Sequence, residues 1–175
     1  FNFILFSQNT FFQSTVYKSS VSDVLNRGTS TFGYNETIDI DQEGLENILV
    51  VKDNLQKLTL SNTLSKSREG NGRPQLRRPE KQFGINYKRK FNSNLIGSFN
   101  LKYDYRHIGK VEDWKNGIKR AKVDSSDIMN VSLSKDFLGS LWSFNILNLT
   151  DENYQRPDTY NQERRRFELS FRHKY

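Results

Sequence analysis

The sequence contains no cysteine, one methionine and three prolines. Without cysteine, the chain can form neither a disulfide framework nor a cysteine-ligated zinc site. Long hydrophobic runs are also missing, because the longest purely aliphatic run covers only residues 48–51. A transmembrane helix needs about 20 apolar residues, so the only membrane-spanning structure that the sequence leaves open is a β-barrel.

Few residues are hydrophobic, yet aromatic residues are numerous. The hydrophobic fraction is 34% and the mean hydropathy is -0.79, while the chain has 13 Phe, 8 Tyr and 2 Trp. Disordered segments are poor in aromatic residues, so this composition favours strands with one apolar face and one wet face. The net charge of +7 would permit binding to nucleic acid, but the basic residues are scattered along the chain, which argues against such a surface.

Apolar and polar residues alternate with a period of two in most of the chain, whereas helical periodicity is scarce. Because side chains i and i+2 lie on the same face of a strand, this pattern predicts about eight strands and a partial ninth at residues 1–6. In the second full strand the apolar residues change parity near Gly44, which predicts a β-bulge there. The eight strands are expected near residues 11–25, 34–51, 58–65, 83–88, 95–105, 129–134, 142–146 and 167–175.

The two faces of these strands differ in chemistry. One face is expected to contact lipid, and it carries Phe99, Leu101, Tyr103, Trp142, Phe144, Phe167, Leu169 and Phe171. The opposite face is expected to line a lumen, and it carries Lys102, Asp104, Glu168 and Arg172.

Short and long connections alternate along the chain. All three prolines fall in the long ones, where they remove no hydrogen bond from a strand ladder. Short turns at one end and long loops at the other are typical of outer-membrane barrels. The short connections are expected near residues 7–9, 52–54, 92–94 and 138–140, and the long ones near residues 26–33, 66–79, 107–125 and 151–163.

Four landmarks follow one another along the chain. They are Gly44-Leu45-Glu46, Arg77-Arg78-Pro79, Asn148-Leu149-Thr150-Asp151 followed by Tyr154, and a final aromatic strand with Phe167, Leu169, Phe171 and Tyr175. Their order resembles the C-terminal stretch of the barrel of TonB-dependent outer-membrane receptors. The resemblance covers nearly the whole chain, so residues 1–175 are interpreted as an all-β, antiparallel segment of a larger transmembrane barrel.

The resemblance implies a multi-pass parent protein in the outer membrane of a Gram-negative bacterium, with a barrel of about 22 strands around a plug. The plug and the TonB box are expected to precede this chain. Such a receptor is not an enzyme: it needs no catalytic residue and no cofactor, and it imports a scarce, bulky nutrient with energy delivered by TonB. The implied partners are outer-membrane lipid, lipopolysaccharide, the TonB complex and the barrel-assembly machinery, which reads the terminal aromatic strand.

The nutrient is expected to be cobalamin or a ferric siderophore. Residues 105–110 and 160–164 resemble the cobalamin-receptor branch, which puts cobalamin slightly ahead. Ligand contacts from this segment are expected in the long loops, where binding residues usually lie; the candidates are Arg73, Arg77, Trp114 and Lys115. The alternative is that these loops only close the rim and contact lipopolysaccharide.

Other charged residues are interpreted as solvated. Asp39, Asp41 and Glu43 share a strand face and could hold a cation such as calcium, but they lack the loop of a calcium site. Lys119-Arg120, in the third long loop, is expected to face solvent. His107 and His173 have no second metal ligand nearby in the sequence, so no metal site is assigned.

Two other architectures remain open. The chain could be a self-contained outer-membrane barrel, since eight strands can close one. It could also be a soluble all-β binding module, in which the apolar faces pack on each other rather than on lipid.

Overall fold

A computed structural model of the chain describes residues 1–26, 36–95, 97–115, 119–156 and 161–173. The regular structure of these residues consists of antiparallel strands. The strands are β1 (Asn2–Phe6), β2 (Thr10–Asn26), β3 (Glu36–Lys52), β4 (Gln56–Glu69), β5 (Lys81–Phe91), β6 (Phe99–Ile108), β7 (Val111–Lys115), β8 (Lys119–Val123), β9 (Ser126–Phe137), β10 (Ser140–Leu147) and β11 (Arg166–His173). No helix among the described residues is long and apolar enough to cross a membrane.

Nine strands form one sheet in the order β1-β2-β3-β4-β5-β6-β9-β10-β11. Each of them pairs with its neighbours along the chain, except that β7 and β8 form a separate hairpin inserted between β6 and β9. The prediction of eight full strands and a partial ninth at the start is confirmed. The sheet is open among the described residues, with β1 and β11 at its two edges.

For the residues assigned to the two faces from the sequence, the strand register places the apolar ones on one face and the polar ones on the other, as predicted. One row across the sheet joins Leu101, Leu133, Phe144 and Leu169. Rings stack across strands within this apolar face: Trp142 lies 5.6 Å from Phe171, measured between ring centroids. Such a pair contributes about 0.5–1.5 kcal/mol beyond the area that it buries.

The opposite, polar face is built from the alternate positions of the same strands. The row next to the apolar one joins Lys102, Ser132, Asn145 and Glu168. The two faces are chemically distinct in the sheet from β4 to β11, whereas on β3 the alternation is mixed, because Ile48 and Val50 share the polar face with Glu46.

The prediction of a bulge near Gly44 is wrong. The ladder runs without interruption through Gly44, which pairs with Tyr17 on β2 and Ser65 on β4. Glycine is favoured there because a Cβ would lie 2.9 Å from the backbone carbonyl oxygen of Leu64 and would displace the Tyr17 ring. The apolar residues change face because Ile40 is buried on the polar side, with an exposed fraction of 8%. The irregularity lies on β2 instead, between Val21 and Val24.

The short connections all lie at one end of the sheet. Leu138 and Gly139 join β9 to β10 with φ angles of 50° and 72°, and two positive φ angles in a two-residue loop are typical of a type I′ turn. The third connection is longer than predicted, because β6 begins at Phe99 rather than at residue 95. Leu95 is 96% exposed and contributes nothing to the strand.

The long connections lie at the opposite end. Residues 70–80 join β4 to β5, residues 148–165 join β10 to β11, and the connection between β6 and β9 contains the β7–β8 hairpin, which the sequence pattern did not predict. The first predicted long connection, near residues 26–33, falls almost entirely outside the described residues.

Asn148 ends strand β10. Its φ angle is 50°. Its side chain makes hydrogen bonds to the backbone where the strand ladder stops: Oδ1 accepts the Glu152 N–H at 2.8 Å, and Nδ2 donates to the carbonyl oxygens of Glu152 and Glu163 at 2.8 and 3.2 Å. Asparagine tolerates this left-handed conformation better than most residues. The landmark at residues 148–151 is therefore a strand-ending turn, with Asn148 only 5% exposed.

Asp151 fastens the same turn to the start of β11. Its carboxylate accepts hydrogen bonds from Arg164 Nε and Nη2 at 2.9 and 2.7 Å, and from the Arg165 N–H at 2.9 Å. The Arg164 guanidinium, followed by the Arg165 amide, holds the pKa of Asp151 well below its usual range. The adjacent landmark residue Tyr154 accepts the Gln162 N–H at 3.0 Å through its carbonyl oxygen.

We predict that Asp151→Asn destabilises the protein at pH 7 and that the difference from wild type shrinks in acid. A carboxyl whose folded pKa is lowered stabilises the fold above its unfolded pKa, about 3.9, and loses that contribution as the pH falls through the folded pKa. Urea unfolding of the refolded protein at pH 7 and pH 3 measures this. Asp124→Asn is the control, since the Asp124 side chain is 90% exposed. Equal midpoints for Asp151→Asn and wild type at pH 7 would contradict the prediction.

Candidate ligand-binding surface

The 70–80 loop folds back onto the polar face at the end of β4. Gln75 donates its N–H to the Ser67 carbonyl oxygen at 2.9 Å, and Ser67 Oγ donates to Gln75 Oε1 at 2.6 Å. Pro74 forms an isolated bridge with Arg68. Ser67 and Glu69 are consequently buried, with exposed fractions of 5% and 3%.

Arg120 fastens the β7–β8 hairpin to this loop. Its guanidinium contacts both carboxylate oxygens of Glu69, and Nη1 donates to the Pro74 carbonyl oxygen at 2.8 Å and to Glu112 at 3.5 Å. The prediction that Arg120 faces solvent is wrong, because its side chain is only 16% exposed. A buried carboxylate such as Glu69 needs a paired cation, and Arg120 supplies it.

Arg77 forms a second link between the loop and the hairpin. Its N–H donates to the Glu112 carbonyl oxygen at 2.8 Å, and its Nε donates to Asp113 at 2.8 Å. The Asp113 side chain is 1% exposed, whereas that of Arg77 is 60% exposed. The buried acid therefore orients the arginine while much of the guanidinium stays accessible.

Trp114 lies between these two links along β7. Arg120 is positioned over its ring, with 5.9 Å from the guanidinium carbon to the ring centroid, a geometry suited to a cation–π interaction. The Trp114 indole nitrogen is buried and has no hydrogen-bond partner within the described part of the chain. Its backbone N–H donates to Asp113 at 2.8 Å.

Arg156, in the connection between β10 and β11, holds the base of the hairpin. It donates to the carbonyl oxygens of Ile108, Gly109 and Asp124 at 3.1, 3.0 and 3.2 Å, and to Ser126 Oγ at 3.3 Å. Three long connections are thus joined by arginine side chains into one layer over the polar face.

The structure brings together some of the predicted ligand-binding residues. Arg77 and Trp114 both contact Asp113, whereas Arg73 is exposed in the loop, where its N–H donates to Asn71 Oδ1 at 2.9 Å. Lys115 lies at the end of β7, and its side chain is outside the part of the structure that is described.

Sequence reasoning did not predict the roles of Glu69, Asp113, Arg120 and Arg156 in this layer. A signal for the hairpin was present, because acidic residues on one arm face basic residues on the other: Glu112 pairs with Lys122 in the β7–β8 register. No comparable pattern indicates Arg156, whose partners are backbone carbonyl groups far away in the sequence.

The electrostatics of this layer favour an anionic ligand. Its acids Glu69 and Glu112 are paired with Arg120 and Asp113 is paired with Arg77, while Arg73 and Arg78 are exposed and the Arg77 side chain stays 60% exposed. Guanidinium groups recognise anions through fixed pairs of N–H donors. Among the described residues, no three His, Cys, Asp or Glu are grouped to hold a metal ion; Asp41, for example, accepts a hydrogen bond from Ser20 at 2.5 Å.

The other landmark residues occupy structural positions. Glu46 pairs with Thr15 and Thr63 on the polar face, and the Pro79 carbonyl oxygen accepts a hydrogen bond from Ser65 at 3.3 Å. Phe167, Leu169 and Phe171 lie on the apolar face of the edge strand β11, with exposed fractions of 62%, 71% and 69%. Tyr175 lies outside the described residues.

No protein-family model matches the sequence, and no curated protein matches it either. Several solved structures are similar in fold to this chain. The ferripyoverdine receptor of the Pseudomonas aeruginosa outer membrane has a TM-score of 0.75 at 12% identity, over 93% of this chain and 24% of that one. The ferric yersiniabactin uptake receptor FyuA from Yersinia pestis gives 0.76 at 12%, over 95% and 26%. The FrpB iron transporter from Neisseria meningitidis gives 0.72 at 10%, over 97% and 30%.

These similarities cover nearly all of this chain but only about a quarter to a third of each receptor's length. At such low identity they concern the path of the backbone, including the hairpin order of the sheet. The chain has the fold of the barrel wall of TonB-dependent outer-membrane receptors.

Proposed function

We propose that this chain forms part of the wall of an outer-membrane receptor of a Gram-negative bacterium. The receptor binds an iron chelate at the cell surface and imports it with energy delivered by TonB. The observation that carries this proposal is the nine-stranded sheet with one apolar face, one polar face and all of its long connections at one end. A wall between lipid and a wet lumen needs those three properties.

The apolar face supports a position in lipid. Large hydrophobic side chains stay exposed along it, for example Val16, Phe144 and Leu169 at 49%, 41% and 71%. Soluble proteins rarely expose contiguous apolar surface of this extent, and no second layer covers the face in the described chain. This argues against a soluble binding module.

The open sheet supports a barrel larger than this chain. A self-contained barrel of eight strands would pair its first strand with its last, whereas β1 and β11 stay apart at the two edges. The same edges would pair with further strands of the parent, and the polar face would line its lumen. Barrel-assembly machinery and the TonB complex are then partners of the whole receptor.

A ferric siderophore is the first candidate nutrient. The exposed arginines at the long-loop end suit an anionic chelate, and two of the similar structures are a ferripyoverdine receptor and a ferric yersiniabactin receptor. The slight preference for cobalamin that residues 105–110 gave finds no support in these structures, and cobalamin becomes the second candidate. Transport of this kind is binding and gating, without a chemical step.

The first prediction tests the assignment of the two faces. Arg substituted at Phe144 should lower the free energy of unfolding in lipid vesicles by about 2–4 kcal/mol, because it places a charge near the middle of the bilayer. Arg at Ser143, the adjacent residue on the polar face, should have a much smaller effect. Urea titrations of both full-length variants measure the difference. Equal effects at the two positions would count against the proposal.

The second prediction tests the candidate surface. We expect Arg73→Gln/Arg77→Gln in the full-length receptor to weaken ferric-siderophore binding to whole cells by at least about tenfold, because a hydrogen bond to a charged group contributes about 1.5–3 kcal/mol. Arg73→Gln alone, which leaves the Arg77–Asp113 link intact, should give part of this loss. Lys88→Gln/Arg172→Gln is the control, since it removes two cations from the polar face away from the loops. Cyanocobalamin is measured in parallel and is expected to bind neither receptor.

Shortening the 70–80 loop and the β7–β8 hairpin separately extends this test. If both shortened receptors reach the surface and bind every ligand as the parent does, these loops only close the rim and the site assignment is wrong. Cyanocobalamin binding that replaces siderophore binding would reverse the order of the two nutrients.

A further inference from the structure

A row of lysines crosses the polar face at the end of the sheet that carries the short turns. Lys52, Lys57, Lys88 and Lys102 are direct cross-strand partners on β3, β4, β5 and β6. We call these four residues the lysine row. Each of them is at most three residues from a strand end, which places the row within about 10 Å of the short turns. If the polar face lines a lumen, the row lies at its short-turn mouth.

The charges of the lysine row are not neutralised within the described chain. All four side chains are exposed, and no carboxylate of the described residues forms an ion pair with any of them. Lys90, two residues from Lys88 on the same face, adds a fifth cation. Like charges directly opposite each other destabilise a sheet, so an anion that binds here would relieve a repulsion that the fold contains.

The acids around the row have hydrogen-bond partners of their own. Asp104, two residues from Lys102 on β6, accepts a hydrogen bond at 3.1 Å from the asparagine opposite it on β5. Asp53 accepts two backbone N–H groups of the β3–β4 turn at 2.7 and 2.8 Å. Glu168 is three strands away from Lys102 and is paired with Arg166 at 2.7 Å. Two nearby carboxylates do not balance five ammonium groups, so this end of the polar face keeps an excess of positive charge.

Two polar depressions lie between the lysine row and the long-loop end. One, of about 330 Å³, extends from Lys102 to Arg106, and its lining includes Asn130 and Asn145. The other, of about 240 Å³, shares Asp104 and Arg106 with it and extends to the hydroxyl groups of β4. Arg106 is exposed and lies four residues from Lys102, about 13 Å along the strand. Cations therefore recur along the polar face from the arginines of the long loops to the lysine row.

We propose that the lysine row is a transit site for an anionic iron chelate, which rests on the proposed import of such a chelate. The row holds the chelate through its negatively charged oxygen atoms after it has left the long loops and before it leaves the lumen at the short-turn end. Recognition and release then occur at opposite ends of the same polar face, on different kinds of cation.

The difference between arginine and lysine favours this division. Arginine binds anions through fixed pairs of N–H donors, and Arg77 at the long loops is oriented by the buried acid Asp113. Lysine is a flexible and strongly hydrated point charge, and in the described chain no paired acid orients the lysine row. A path that a ligand must also leave needs sites that bind weakly and are repeated. Neighbouring cations about 5 Å apart at Cβ meet that requirement.

An acidic surface of the plug is the other anion that could cover the row. A plug held there would keep the lysines out of contact with water, whereas a chelate in transit leaves them accessible between passages. The chemical reactivity of the lysines therefore separates the two occupants.

The first experiment measures lysine acetylation by mass spectrometry in the full-length receptor in detergent micelles. A water-soluble acetylating reagent should modify the lysine row when no anion is present. Millimolar ferric citrate, an anionic chelate, should slow this modification by at least about threefold, because clustered cations raise the local concentration of anions. Ferrichrome, an uncharged iron chelate, should not slow it. Three exposed lysines on the apolar face are internal controls and should react at the same rate in every sample: Lys18, Lys66 and Lys81.

The second experiment separates binding from transport on whole cells. The variant Lys57→Gln/Lys88→Gln/Lys102→Gln should bind ferric siderophore at the surface of energy-depleted cells as the parent does. Its rate of iron uptake at saturating siderophore should fall by at least about tenfold, because clusters of one charge raise local ion concentrations by about 10–10³. The control Lys18→Gln/Lys66→Gln/Lys81→Gln removes the same charge from the apolar face and should match the parent in binding and in uptake.

Three outcomes would overturn the transit site. These are lysines of the row that do not react even without anion, which would identify a surface covered by the plug, equal protection by ferric citrate and ferrichrome, or unchanged uptake in the variant of the row. If that variant does not reach the cell surface, Lys57→Gln/Lys102→Gln replaces it and should give a partial loss of uptake. Failure of the import proposal is a different result, because the parent itself then binds no ferric siderophore. Parent binding without protection of the row overturns the transit site alone.

Discussion

The backbone hydrogen-bond ladder is the constraint on which the rest of the structure depends. Nine antiparallel strands satisfy one another's N–H and C=O groups without a helix or a second layer in the described chain. In hydrocarbon an unpaired backbone group costs several kcal/mol, so a wall of this kind tolerates lipid only while every strand has partners. Because a ladder fixes each side chain to one face, the same hydrogen bonds also separate the row of Leu101 and Phe144 from the row of Lys102 and Asn145.

At the long-loop end the ladder stops, and side chains take over its role. Asn148 supplies a donor and an acceptor where β10 ends, and Arg156 donates to carbonyl groups at the base of the β7–β8 hairpin. Arg77 and Arg120 then join the hairpin to the 70–80 loop through buried acids. In the Arg120–Glu69 pair both side chains are largely buried, and breaking such a pair leaves an uncompensated charge and costs about 3–5 kcal/mol. The Arg77 side chain is 60% exposed, so its link to Asp113 is weaker. The exposed arginines are consequently presented on an ordered layer.

The sequence was sufficient for the sheet but not for the loops. Alternation with a period of two predicts strands and faces because it is a local property, and the eight full strands are where it occurs. It failed where packing between distant segments decides the outcome. Ile40 changes face without a bulge because the polar side buries it, and Arg120 is buried because Glu69, far away in the sequence, needs a cation. No local pattern contains either partner.

The central claim is that the two faces of this sheet meet lipid and water, respectively. This chain has no cysteine, so once any cysteine in the rest of the receptor is replaced, single cysteines can be placed along β10 and spin-labelled in lipid vesicles. Collisions with dissolved oxygen and with a water-soluble nickel chelate then report the environment of each position. The account predicts oxygen access at Trp142, Phe144 and Ile146 and nickel access or protein contact at Ser143 and Asn145. Equal accessibility at odd and even positions would contradict it.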